Sequence, residues 1–542
     1  MQFAGLLAAS FALAAFGQSA WVSFFGIGAA AFGYALFWRA MLLLPRRRDR
    51  FLLSTGWFAA VQAVQLSWLT STDYMGPLIL VVYLFLIAAI GVQFGILSLI
   101  FDEREISLRR CLAAAGCWVF MEWIRLLPFT GFTWNPVGLS LADHPLSIQF
   151  ASLFGVYGLS FWVIFVNALA LWAFPFWRRG AVWAAAAIFP YLFGWAYQSW
   201  IEWTALPVQP YSAALVQTAI LPEEKDIVSH RSSSFVPPLN QWERIWENLR
   251  SNNPVDLIVL PEAAVSLSAY RPFYPIDLLR DVWADRFGKE ALSDLPELKT
   301  PLAIEDKRGW RATNAYIAQA MANHFHAHLI AGFDHQDGEK KYNAAFLFSP
   351  DGEEPQRYEK RILVPVGEYV PFPNIRWLAA FLAEQFGIGD SFDIGSEAKI
   401  FRSSVPIGVS VCLEETYSGL IRDLRRKGAD LFVNISNDVW FPRSRLPEQH
   451  FQHGRIRAAE NGVYAFRACN TGITGAVDCF GRVIAYLPPS EQDRGVLYLN
   501  LPLKSFQTLY TWWGDWAILS LSAFFILFGF RKKKLPLNGS LR

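Results

Sequence analysis

Residues 407–415 read Ile407-Gly408-Val409-Ser410-Val411-Cys412-Leu413-Glu414-Glu415. The first five are apolar or small and rich in β-branched side chains, the length and chemistry of a buried strand. The run stops at a thiol, two carboxylates follow, and a helical pattern begins around Tyr417–Lys427. A cysteine between a buried strand and a helix N-terminus meets free N–H groups and the positive end of the helix dipole, which favour its thiolate. The N–H of Leu413 is then placed to help form an oxyanion hole. The plainer reading is an inert buried cysteine, the common fate of a free thiol.

Two other segments share this design. In Val255-Asp256-Leu257-Ile258-Val259-Leu260-Pro261-Glu262 a proline halts an apolar run and Glu262 is the next side chain. A carboxylate at an apolar strand end suits a general base, although alone it reads as a solvated glutamate. In Tyr358-Glu359-Lys360-Arg361-Ile362-Leu363-Val364-Pro365, Lys360 brings positive charge to a strand end, and Glu368 follows to hold it or to orient substrate. By itself that segment is a charged turn. Further strand-like runs are Ala213–Gln217, Leu329–Phe333, Ala344–Phe348, Leu431–Ile435, Tyr464–Ala468 and Gly475–Asp478, with helical patterns at Gln241–Arg250 and Ala315–Asn323. Short strands interleaved with helices predict a layered α/β domain over residues 206–505.

The flanking sequence differs in kind. Of 542 residues 53% are hydrophobic and only 17% charged, which excludes a disordered chain. The net charge of +2 gives no footprint for nucleic acid, and five cysteines do not make a disulfide framework. Residues 1–205 and 506–542 hold the excess apolarity. A membrane span needs roughly 20 apolar residues, and eight candidates occur, at about 3–19, 22–44, 51–70, 76–101, 111–129, 157–176, 181–200 and 510–530. Gln18-Ser19-Ala20 resembles a signal-peptide cleavage site, but no basic residue precedes the first apolar run, so a retained span is expected.

Basic residues follow every second span: Arg46, Arg47, Arg48 and Arg50; Arg104, Arg109 and Arg110; Arg178 and Arg179; Arg531 to Lys534. The opposite loops, 71–75 and 130–156, contain no Lys or Arg. The positive-inside rule then puts both termini in the cytoplasm and residues 206–505 on the far side. Trp200, Trp203, Trp512, Trp513 and Trp516 bracket that domain as an aromatic belt would. Glu122 and Arg125 share one helix face and read as an ion pair near the interface, or as a contact to substrate or to the outer domain.

Each chemical segment is weak alone. Together Glu262, Lys360 and Cys412 supply a base, a cation and a nucleophile at three strand ends, the set that acyl transfer requires. The outer domain resembles the nitrilase, or carbon–nitrogen hydrolase, superfamily, and the whole chain resembles its apolipoprotein N-acyltransferase family. The stretches carrying the likeness are Lys360–Phe372, Asn434–Phe441, Arg467–Thr474, Pro447–His450 and Arg457–Gly462. The resemblance implies a multi-pass helical membrane domain joined to an αββα sandwich in a bacterial inner membrane. It implies a Glu262–Lys360–Cys412 triad with Glu368 and Glu414 as accessory carboxylates. It implies a phospholipid acyl donor, a diacylglyceryl-lipoprotein acceptor, and no cofactor or metal. Leu413, Pro442 and Val216-Gln217-Thr218-Ala219 depart from the family pattern, and residues 266–312 are longer than usual.

Trp377-Leu378-Ala379-Ala380-Phe381-Leu382 reads either as a lipid-binding gate or as an amphipathic helix packed on the core. His324, His326, His328 and His335 lack a completing ligand and are expected to separate. Cys469 and Cys479 read as small buried residues, with pairing the alternative. A membrane-tethered amidase passing the acyl group to water, and a non-enzymatic lipoprotein-binding scaffold, are the competing functional readings.

Overall fold

The computed structural model describes residues 2–102, 106–174, 176–204, 210–225, 234–250, 253–350, 352 and 354–531. Arg104, Lys532, Lys533 and Lys534 of the basic clusters, and the expected domain boundary at 205–206, lie outside the described residues.

All eight apolar segments are helical. Among the described residues four helices are long and apolar enough to cross a membrane: Ser23–Met41, Ile79–Ser98, Ser147–Ala173 and Trp177–Thr204. Gln2–Phe16 and Asp515–Phe530 are apolar but shorter. The expected span 111–129 is corrected: the helix runs Leu108–Trp123, and Ile124–Leu126 tightens into a 3-10 turn before Pro128. Proline lacks an N–H, and it disfavours helical geometry in the residue before it. Leu84, Phe85, Leu192 and Trp195 are exposed and face outward, as lipid-contacting residues do. Ala151–Ala173 is instead buried along most of its length in the centre of the helical core.

This central helix is broken at Gly155, which has φ +67°. A Cβ there would also lie only 2.5 Å from the Tyr510 ring, so backbone angle and packing both demand glycine.

The outer domain contains two six-stranded sheets. One orders its strands Gly495–Pro502, Pro210–Gln217, Leu257–Val259, His328–Asp337, Lys340–Phe348 and Gln356–Glu359. The other runs Val483–Leu487, Thr474–Val477, Tyr464–Cys469, Leu431–Ser436, Ile407–Val411 and Ile400–Phe401. Side-chain alternation builds the layers. Ala213, Leu215, Leu257 and Val259 meet Val409, Val411, Val433 and Ile435 between the sheets. Their neighbours Ala214, Val216, Ile258 and Leu260 pack instead against Trp242, Trp246, Tyr316 and Trp283 on the outer helices. Buried on both faces, these strands read as continuous apolar runs. Helices Ser418–Arg426 and Leu446–Asn461 cover the second sheet. The result is the expected helix–sheet–sheet–helix sandwich.

Residues 266–312, left without an account by the sequence, form the helix Ile276–Phe287, a 3-10 turn and the hairpin Ala303–Asp306/Gly309–Ala312. Leu279, Trp283 and Leu302 from this insertion extend the helical core over the first sheet.

Leu257–Val259 runs parallel to its neighbours Pro210–Gln217 and His328–Asp337, and Ile407–Val411 runs parallel to Leu431–Ser436. Gln356–Glu359 is two antiparallel steps from His328–Asp337 and so points the same way. Glu262, Lys360 and Cys412 each follow the carboxyl end of one of these strands. That is the end where open α/β sheets present reactive groups.

Candidate active site

Pro261 ends the first strand, and the chain turns back across Gly332. A Cβ on Gly332 would stand 2.7 Å from the Glu262 Cα, so glycine lets the Glu262 loop lie directly on the sheet. Glu262 is buried there, and its Oε1 accepts from Lys360 Nζ at 3.2 Å and from Asn343 Nδ2 at 2.6 Å. The Lys360 ammonium, only 1% exposed, also donates to Glu368 Oε1 at 2.8 Å. Asn343 reaches Glu368 at 2.8 Å as well, and the second oxygen of Glu368 accepts from the Val364 N–H at 2.8 Å. One buried lysine thus joins two carboxylates, with one amide fixing their spacing. Burial opposes the charge on Lys360, but Glu262 and Glu368 override it and hold the ammonium well above the ordinary lysine range.

Cys412 sits within the field of Glu262 and Lys360 with φ +52°, a left-handed conformation that costs a non-glycine residue on the order of 1–3 kcal/mol. Two donors hold its carbonyl: Asn434 Nδ2 at 3.1 Å and His450 Nε2 at 3.2 Å. Two expectations need correction. The residues after Cys412 form a 3-10 turn, Cys412–Thr416, and the α-helix begins only at Ser418, so the thiol is not at an α-helix N-terminus. Nor does the resting site favour the thiolate. Burial first, and then the Glu262 charge, push the thiol well above its ordinary range, with Lys360 pulling the other way.

The thiol is therefore neutral at pH 7. Alkylation of Cys412 by iodoacetamide is expected to be slow at neutral pH and to keep rising beyond pH 9. It should not level off near the ordinary cysteine value of about 8.5. Mass spectrometry of the Cys412 peptide against pH measures this, and a plateau by pH 9 would contradict it.

Glu414 occupies a different place from Glu368. It is fully buried and accepts from Tyr358 Oη at 2.9 Å and from the N–H groups of Val411, Arg361 and Ile362 at 2.8, 2.6 and 3.1 Å. Burial raises its pKa, opposed by these backbone donors. Glu414 thus ties the Cys412 turn to the segment carrying Lys360. The Leu413 side chain packs into the core shared with the membrane helices. Trp377 and Phe381 lie on the helix Arg376–Phe386, none of whose residues is buried, and both rings are exposed. Leu378, Leu382 and Phe386 on the same helix are half-buried, so the exposed rings share the helix with a partly covered face.

Sequence reasoning missed several neighbours. Asn343 and Tyr358 lie inside strands and read as ordinary strand residues. Asp438, His450 and Arg467 lie within the family-like stretches and carry no local signal of their own. They form a buried cluster in which Asp438 binds His450 Nδ1 at 2.9 Å and Arg467 at 2.9 Å, and Arg467 also pairs with Glu415. Lys225 donates to the Ala263 carbonyl beside Glu262, and burial lowers its pKa to about 8.

The histidines separate as expected. His324 pairs with Asp294 at 2.8 Å, His335 meets Arg357 at 2.6 Å and His326 is exposed. Cys469 and Cys479 are buried free thiols. Glu122 accepts from Trp118 Nε1 and the Val137 N–H at 2.7 and 2.8 Å, whereas Arg125 donates to Gln93 at 2.8 Å. Both line a cavity of about 270 Å³ shared with Arg361, Thr416 and Tyr417, where the membrane helices meet the outer domain.

Comparison with known proteins agrees with this architecture. The family described as Carbon-nitrogen hydrolase matches residues 212–510, and the Apolipoprotein N-acyltransferase N-terminal domain matches residues 3–169. An apolipoprotein N-acyltransferase of Chlamydia caviae is 31% identical over 538 residues, covering 95% of this chain and 94% of its own. One from Chlamydia pneumoniae is 30% identical, with 95% and 94% covered. Among solved structures, Saccharomyces cerevisiae Nit3, a member of the nitrilase superfamily, is 19% identical with a TM-score of 0.34, covering 55% of this chain and 92% of its own. With a carbon–nitrogen hydrolase sandwich carried on apolar helices, and relatives of that name along nearly its whole length, the chain belongs to the apolipoprotein N-acyltransferase family of membrane acyltransferases.

Proposed function

We propose that the protein moves a fatty acyl chain from a membrane phospholipid to the N-terminal amine of an S-diacylglyceryl-cysteine on lipoproteins, through a thioester on Cys412. The observation that carries this is the buried Lys360, bridging Glu262 and Glu368 beside the strained Cys412 turn. Glu262 takes the thiol proton as sulfur attacks the ester carbonyl. Proton transfer coupled to attack suits a thiol that is neutral at rest. Lys360 and backbone N–H groups, that of Leu413 among them, stabilise the oxyanion. The ester C–O bond breaks, the leaving alkoxide takes the proton back from Glu262, and a lysophospholipid departs. The acceptor amine then attacks the thioester, loses a proton to Glu262, and leaves as an amide with the Cys412 thiol restored. The donor ester supplies the driving force, so no nucleotide is required.

In this reading the outer domain faces the periplasm, with both termini in the cytoplasm. The exposed belt of Trp200, Trp203, Trp512 and Trp516 supports placing the membrane surface at its base. Trp377 and Phe381 enter the headgroup layer and admit lipid. Replacing both by serine should slow acyl-enzyme formation from vesicles about tenfold or more, since each ring contributes roughly 1.5–3 kcal/mol on leaving water. A soluble short-chain donor should be unaffected, and equal loss with both donors would refute the gate.

The test of the whole reading uses purified full-length protein, phospholipid and a diacylglyceryl lipopeptide. A fatty-acyl mass on the Cys412 peptide and an N-acylated product are expected. Acyl release to water despite the lipopeptide would favour the amidase. Absence of any acyl-Cys412 in turnover-competent protein would overturn the proposal.

A further inference from the structure

Helix Leu446–Asn461 lies between the second sheet and the membrane helices, with nearly every residue buried. It touches both sides with polar groups. Toward the membrane helices, Glu460 Oε1 accepts from the Val156 N–H at 2.7 Å. Val156 is the first residue after the Gly155 break, so Glu460 caps the free N-terminus of the helix segment that restarts there. Gln449 accepts from Trp134 Nε1 at 2.7 Å and donates to the Gln65 carbonyl at 2.8 Å.

Toward the Cys412 turn, Arg457 pairs with Glu460 at 3.1 Å and donates to Ser418 and to the Thr416 carbonyl, and His450 meets the Cys412 carbonyl. The membrane side also grips this turn directly: Thr133 hydrogen-bonds Thr416, and Tyr417 Oη donates to the Thr130 and Gly131 carbonyls at 2.9 and 3.0 Å.

We infer that the membrane domain sets the conformation of the Cys412 turn, and that Glu460 is the positioning residue tying the break at Gly155 to that turn through Arg457. A left-handed cysteine persists only where its surroundings over-determine it. Here the surroundings include groups from the membrane domain. Seating of the two domains is therefore a condition for a competent nucleophile. This couples acyl transfer to an assembled, inserted protein. The inference rests on Cys412 being the nucleophile, but its first readout does not depend on acyl transfer.

Val156→Pro removes the donor to Glu460 and leaves the outer domain untouched. Proline is tolerated at the first position of a helix, which Val156 occupies after the break. Trp134→Phe removes the donor to Gln449 and keeps an aromatic ring. It serves as the second variant should the first not fold. The measurements are the iodoacetamide alkylation rate of Cys412, the acyl-enzyme burst with phospholipid, and phospholipid binding.

Both variants should change the alkylation rate and slow the burst by roughly tenfold to a hundredfold, the scale of a small misplacement of a reacting group, with phospholipid affinity unchanged. Parental alkylation and burst in folded variants would overturn the inference. So would a loss confined to phospholipid affinity. Altered alkylation without any acylation in the parent protein would support the coupling while removing the acyltransferase reading.

Discussion

Cys412→Ala is expected to give a protein that inserts and folds but transfers no acyl chain, a loss of about 10⁶-fold in turnover if the residual chemistry resembles other nucleophile deletions. The substitution removes one sulfur from a half-buried position, so global stability should change little. It also relieves Glu262 of its proton donor while leaving Lys360 bound to both carboxylates. The measurement is N-acylation of a diacylglyceryl lipopeptide, alongside thermal unfolding and phospholipid binding. Retained transfer in the alanine variant would point to the binding-scaffold reading. Loss of phospholipid binding together with activity would show that the cysteine supports the site's structure rather than its chemistry.

Lys360→Met should cost less turnover than Cys412→Ala, and it should differ in kind by also lowering stability. The ammonium is the sole basic side chain hydrogen-bonded to Glu262 and Glu368 among the described residues. Removing one partner of a buried ion pair costs roughly 3–5 kcal/mol because charge is left uncompensated. Two carboxylates joined through Asn343 would then face each other without their cation. Stability of the variant should consequently fall. Loss of the oxyanion-stabilising charge adds about 10²–10³ in rate. Thermal unfolding at pH 8 and the acyl-enzyme burst measure the two effects separately. A variant as stable as the parent at pH 8, with an unaltered burst, would refute this role for Lys360.

Tertiary structure gives Glu368 and Glu414 different surroundings. Glu368 touches Lys360 and can influence its charge. Glu414 has its oxygens occupied by Tyr358 and three backbone N–H groups, so its effect on chemistry passes through the shape of the Cys412 turn. Glu414→Gln should therefore act as a positioning change. Sequence spacing could not separate these roles, because both residues follow a reactive side chain at a short interval.

Legibility followed range. Leu257–Leu260 and Ile407–Val411 were readable as buried strands because apolarity on both faces is written in consecutive residues. Glu262 and Cys412 stood out as candidates because each follows such a run, whereas Lys360 follows the polar strand Gln356–Glu359 and stood out only beside the other two. Trp377 and Phe381 left two arrangements open, since an apolar stripe records that a face avoids water and does not record what covers it. Asp438, His450 and Arg467 are separated by up to 29 residues and meet only through the second sheet and its covering helix. The break at Gly155 gave no signal, because an isolated glycine in an apolar run is common and the Tyr510 ring that crowds it is distant in sequence.

By itself, then, the sequence determined the two kinds of domain and the strands of the sandwich, and it singled out Glu262, Lys360 and Cys412 as candidates, all through local apolar patterning and neighbouring chemistry. Only the tertiary structure decided that the Cys412 thiol rests neutral, that Glu414 is a strut, and that membrane helices reach the reactive turn. Those properties depend on burial and on charges brought together from distant parts of the chain.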